Sequence, residues 1–91
     1  MQIEFDSDKR GKTLAERGLD FARAAEVFAN ALVNVPDTRF EYGEKRFNTV
    51  GTLDGRMVVV AWTPRGEVRR IISMRKANER EQWRYTQQHL G

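Results

Sequence analysis

The sequence predicts an α+β domain: a mainly antiparallel sheet with a C-terminal meander, two short N-terminal helices and a closing C-terminal helix. Three observations carry this. Residues 47–53, 56–63 and 67–73 are strand-like runs rich in β-branched residues, separated only by short turn signals. Phe21, Ala24, Ala25 and Phe28 recur at helical spacing. Lys76 to Gln88 is a charged, Ala/Glu/Arg/Gln-containing stretch of helical character. Helices packed on one antiparallel sheet make a two-layer domain.

The elements follow in order. Ile3 and Phe5 flank Glu4, which suits a short edge strand over Met1 to Phe5. Ser7 or Asp8 can cap a helix over Lys9 to Arg17, and Gly18 stands where such a helix ends. Asp20 then caps a second helix over Phe21 to Ala29. Ala31 to Val35 is a short strand stopped by Pro36-Asp37. Asp37 to Arg46 has no clear period and is expected to be loop, with one helical turn at most. Asp54-Gly55 is a strong two-residue hairpin signal between the next two strands. Arg56 to Thr63 is apolar on both faces, as a central strand would be. Pro64-Arg65-Gly66 is the next turn and Glu67 to Ser73 the last strand, with no repeat or low-complexity tract anywhere.

Ninety-one residues are enough for one domain with one modest core. The chain has no cysteine, which excludes disulfides and thiolate metal sites. Asp37 and Glu44 have no His or Cys companion nearby, so neither a metal nor another cofactor is expected. Glu4, Asp6, Asp8, Lys9 and Arg10 interrupt any leader-like apolar core, and no run nears the roughly 20 apolar residues of a membrane span. The expectation is a cytoplasmic chain with no membrane partner.

Charge is unevenly placed. Residues 1–55 hold 8 Lys/Arg against 10 Asp/Glu, and residues 56–91 hold 8 against 3, or −2 and +5 for the net +3. Seven of the eight C-terminal cations are arginines, the side chain best shaped for bidentate contact with phosphate or carboxylate. The stretch Val68 to Tyr85 concentrates six of the basic residues, where the last strand feeds the closing helix. An anionic partner is expected there: nucleic acid, an acidic protein, or both.

Several blocks in order resemble the BrnT family of bacterial type II toxin–antitoxin toxins. I-E-F-D-S-D-K places Lys9 on the family's lysine. R-G-L-D-F-A-R-A brings Gly18, Phe21 and Ala24 into register, and Asp37 with Tyr42-Gly43-Glu44 and Arg46 follows. Gly51, T-P-R-G, R-I-I-S, R-K-A-N-E-R-E and the trailing Tyr85 complete the order. Two positions depart from it: Thr13 stands where many members carry Asn, and Arg17 where they carry His before the glycine. The resemblance implies a RelE-like fold, an endoribonuclease that arrests translation, and a BrnA-like antitoxin. It further implies RNA as substrate, free or on the ribosome, and operator DNA bound only through the antitoxin.

Cleaving RNA without a metal requires a base for the 2′-hydroxyl, cations for the phosphorane, and an acid for the leaving 5′-oxygen. Arg65, Arg70, Arg75 and Lys76 are the candidates for the phosphate. Lys9, Lys76 or Glu79 are candidates for the base, though Glu79 equally suits an ion pair with Arg75. Tyr85 is the candidate acid, against the ordinary reading of a core tyrosine. Lys12, Arg17, Arg80 and Arg84 would hold RNA. Ser73 is expected to satisfy backbone groups, Trp62 and Trp83 to pack, and His89, three residues from the end, to take no part. Arg17 is a permanent cation and a poor proton acceptor, so a rival reading is a catalytically weakened binding module paired with a DNA-binding repressor. Direct DNA reading fits less well, because the Gly18 junction is too short for a helix-turn-helix.

Overall fold

The computed structural model describes residues 1–39, 41 and 43–90, the last four by backbone alone. Tyr42 of the family resemblance and the side chain of His89 lie outside the described residues. The order is β1 (Gln2–Glu4), α1 (Ser7–Arg17), a 3-10 turn (Phe21–Arg23), α2 (Ala24–Ala29), β2 (Ala31–Pro36), β3 (Phe47–Leu53), β4 (Arg56–Arg65), β5 (Val68–Lys76) and α3 (Glu79–Leu90). The five strands lie β1-β5-β4-β3-β2. β2 through β5 are antiparallel, but β1 runs parallel to β5. The sheet is therefore mixed. The first strand joins the last, and only a crossover of the length that the intervening chain supplies can make that parallel pair.

β4 carries apolar side chains at successive positions, so both faces of the sheet need cover. On the first face Val58, Val60 and Trp62 join Ile71 and Met74 of β5, and α2 with the 3-10 turn seals them with Phe21, Ala24, Val27 and Phe28. Trp62 is the centre of this side. Phe47 stacks on it at 5.0 Å and Phe28 meets it edge-on at 5.7 Å. Its indole N–H donates to Thr49 Oγ1 at 2.8 Å, and that hydroxyl donates to Asn34 Oδ1 at 2.7 Å, so the buried polar atoms are paired. Gly51 lets α2 lie flat on β3, because a Cβ there would collide with the carbonyl of Val27.

On the second face Val50, Val59 and Ala77 form a smaller cluster, flanked by Val33, Met57 and Tyr85 of α3. Helices thus cover both faces, not one, and the expected two layers become three. Other boundaries move for local reasons. Asp6, rather than Ser7 or Asp8, caps α1, accepting from the N–H groups of Asp8 and Lys9. The second helix opens as a 3-10 turn behind Asp20. β4 continues through Pro64 and Arg65, so the turn is Gly66-Glu67. β5 continues to Lys76, because its ladder with β4 holds as far as Val58. α3 begins three residues later than expected, behind a reciprocal cap: Glu81 N–H donates to Asn78 Oδ1 and Asn78 N–H to the Glu81 carboxylate. Trp83, expected to pack, is 68% exposed.

Candidate functional site

β5 contains one irregularity that decides the site. Ala61 pairs with Ser73 and Trp62 with Ile71, which leaves Ile72 as the extra residue of a bulge. Side chains otherwise alternate along a strand, so Arg70 and Arg75, five positions apart, would point to opposite faces. The bulge reverses the phase. Arg70 (opposite Thr63), Ser73 (opposite Ala61) and Arg75 (opposite Val59) all come to the second face. Lys76 pairs with Val58 and points to the first face with it. The adjacent pair Arg75-Lys76 is therefore divided between the two sides of the sheet.

α3 covers one end of the second face, and Asn48, Ala61 and Ser73 remain part-exposed beside it. The 37–46 loop borders the other end. Thr63 Oγ1 donates to the Lys45 carbonyl at 2.6 Å, and Asp37 N–H to that of Arg46 at 2.8 Å. The loop encloses an open concavity of about 860 Å³, lined among others by Asp37, Arg39, Glu44 and Arg46. That concavity is lined within residues 36–47, and the part-exposed floor of Asn48, Ala61 and Ser73 lies on the same face of the sheet as Arg70 and Arg75.

Arg75 is the best-defined cation there. Its two Nη atoms donate to the two carboxylate oxygens of Glu81 at 2.6 and 2.8 Å. These bonds raise the guanidinium pKa above its ordinary value, while the nearby charge of Arg39 opposes them and Tyr85 adds to them. Arg75 thus lies within reach of the charges of Glu81, Arg39 and Tyr85. Glu81 is held below the usual carboxylate range by Arg75 first, with burial opposing, and the Asn78 N–H and Arg84 adding to the effect. Glu79, the expected partner of Arg75, is exposed in the first turn of α3. It is Glu81, two residues on, that faces the strand.

The remaining candidates are dispersed. Arg70 lies 3.6 Å from Glu4, and Arg65, at the end of β4, lies 3.5 Å from Glu44. Arg80 and Arg84 are exposed on α3. Lys9 and Lys12 lie on α1, which belongs to the first-face layer. Arg17, at the last position of α1, donates from Nη1 to the Met74 carbonyl at 2.8 Å. β1 reaches only Arg70, so Arg17 supplies a donor at the edge of β5 beyond it. The structure places Arg70, Ser73 and Arg75 on one face, with Tyr85 packed on that face at the Val59 end, and does not bring Lys9, Lys12 or Lys76 there. Sequence reasoning missed Arg39 and Glu81. The Asn78-to-Glu81 spacing was the available signal for Glu81, as a capping box. Nothing local marks Arg39, whose role depends on how its loop folds back.

The comparison with known families decides the kinship. Residues 5–81 match the family described as ribonuclease toxin, BrnT, of type II toxin-antitoxin system. The chain belongs to the BrnT family. A search of the curated proteins found no match. The family match contains Arg39, Arg70, Arg75 and Glu81 and ends before Trp83, Arg84 and Tyr85. As a type II toxin, a BrnT chain has an antitoxin as its partner. Among the described residues no cluster of His, Cys, Asp or Glu could hold a metal, and no helix is long and apolar enough to cross a membrane.

Proposed function

We propose that this BrnT chain is a metal-independent endoribonuclease whose site is the second face of the sheet. It arrests translation by cutting RNA, free or on the ribosome, and works in the cytoplasm as a single domain. A BrnA-like antitoxin neutralises it, and through that partner the pair binds its own operator. The observation supporting this most directly is the ion pair of Arg75 with Glu81 on the face against which Tyr85 packs, beside a part-open polar floor.

In this reading Arg75 and Arg39 grip the scissile phosphate, and Arg70 and Ser73 extend the track along β5. Arg75 is engaged by Glu81 in the resting protein, and an incoming phosphate takes over its guanidinium. Glu81 then loses the main influence lowering its pKa and becomes a better acceptor for the 2′-hydroxyl proton. Attack of that oxygen on phosphorus breaks the P–O5′ bond, leaving a 2′,3′-cyclic phosphate, and Tyr85 protonates the departing 5′-oxygen. Glu81 replaces Glu79, Lys9 and Lys76 as base because its carboxylate holds the Arg75 guanidinium on the second face.

The test is cleavage of RNA by the purified chain in chelator, with and without ribosomes. Arg75→Ala should lower the rate by roughly 100-fold or more without moving the thermal midpoint, as for loss of one preorganised charge donor. RNA left intact in both settings, with Arg75→Ala indistinguishable from the parent, would refute the assignment.

A second reading, the weakened toxin acting as co-repressor, is favoured by Arg17. Its guanidinium satisfies a strand-edge carbonyl, a role that requires no chemistry. Arg17→His distinguishes the two: a large gain in cleavage supports weakening, and an unchanged rate supports the intact enzyme.

A further inference from the structure

Lys76 has no place in the site above, and its surroundings on the first face suggest another use. It lines a cavity of about 360 Å³ with Leu14 of α1, Gly18 just past that helix, Leu19, Leu53, Arg23 and Arg56, at the foot of the β3–β4 hairpin. The carboxylates at this cavity are already engaged. Asp20 takes Arg10 at 2.7 and 3.0 Å, and Asp54 takes Arg23 at 2.7 and 2.8 Å. Arg23 is shared further with Glu26 at 2.7 and 3.0 Å. Among the described residues no carboxylate lies within 4.0 Å of Lys76 or Arg56, both of which are exposed. Two uncompensated cations therefore flank an apolar wall, where Leu14 is 44% exposed on a helix with no buried residue.

That combination selects the ligand. Exposed cations call for an anion, and the leucine wall calls for an aliphatic group held beside it. A single RNA strand is a poorer fit. No aromatic ring lines the cavity for a base to stack on, and its volume suits one or two side chains rather than a run of nucleotides. We propose that the cavity between α1 and the β3–β4 hairpin docks an acidic, amphipathic segment of a protein partner. A carboxylate is held by Lys76 and Arg56, and an aliphatic side chain lies on Leu14. The surface is on the opposite side of the sheet from Arg75, so a partner seated here leaves the polar floor open. The proposal stands on the charge and shape of this end of the molecule, and the ribonuclease reading can fail without affecting it.

The test uses the full chain labelled at its leucine methyls and two probes: a short capped peptide with leucines on one face and glutamates on the other, and an oligouridylate. The peptide should shift the methyl signals of Leu14 and Leu53. Lys76→Glu combined with Arg56→Glu should weaken it at least about tenfold, a loss of about 1.4 kcal/mol. Arg75→Ala should leave its affinity unchanged. Should the double variant fail to fold, Lys76→Gln and a salt titration serve instead, with affinity falling in both. A peptide that leaves these methyls unmoved, or an oligouridylate that shifts them in its place, overturns the proposal.

Discussion

Val59 and Val60 are neighbours in β4, equally apolar and both buried, yet they belong to different structures. Val60 lies in the large cluster with Phe21, Val27, Phe28 and Trp62. Val59 lies in the small one, with Val50, Ala77 and the part-exposed ring of Tyr85. The first face is closed over most of its length by α2 and aromatic packing, which hold the fold. The second is closed over only part of its length, and there a strand edge, a helix and a loop contribute arginines. Stability and the proposed chemistry thus fall on opposite sides of one sheet, and the alternation of a strand is what allows residues one position apart to serve them separately.

Four substitutions test that division, from the largest effect to the smallest. Trp62→Ala removes the ring that Phe28, Phe47 and Arg69 all contact, and should cost about 4 kcal/mol in chemical denaturation. A cost no larger than that of a surface change would mean the first face is not the core. Arg75→Ala should show the opposite profile, with cleavage lost and the midpoint retained. The valine pair sharpens this further. Val60→Ala should destabilise by about 2–3 kcal/mol and Val59→Ala by roughly half as much, because a site beside a part-exposed ring can relax around the gap. Equal losses would erase the distinction between the faces.

The smallest effect is one of pH. The Arg10 hydrogen bonds first, and the Ala22 N–H second, lower the Asp20 pKa to about 2. The stability this contributes is complete above the ordinary carboxylate value of roughly 4 and is lost as pH falls through about 2. Asp20→Asn should flatten the acid limb of the stability curve in that window and leave neutral cleavage unchanged. A persisting acid limb would assign it to other carboxylates.

Much of this architecture was legible from residue pattern. The β3 limits, the Asp54-Gly55 hairpin with its positive φ angles of 53° and 77°, and Gly18 as the end of α1 all follow from local rules. The alignment of Arg70 with Arg75 was not legible, because it depends on Ile72 being left out of the ladder, a tertiary outcome without a local marker. The closing helix is legible, but its start is set by the Asn78–Glu81 capping box, which puts Glu81 rather than the candidate base Glu79 against Arg75. A strand end adjoining a helix start predicts Arg75 and Lys76 together at one phosphate. The strand instead runs on through both, and they part.

Ile72 also limits how this chain can vary. Drawing that one residue into a regular ladder opposite Ala61 would turn Ser73 and Arg75 inward beside Val60 and Val58, while Met74 came to the other face with Val59. The register of this strand is consequently as constrained as its composition. Relatives that retain the chemistry should keep the positions of Ser73 and Arg75 opposite β4, whether by a bulge or by a strand one residue shorter.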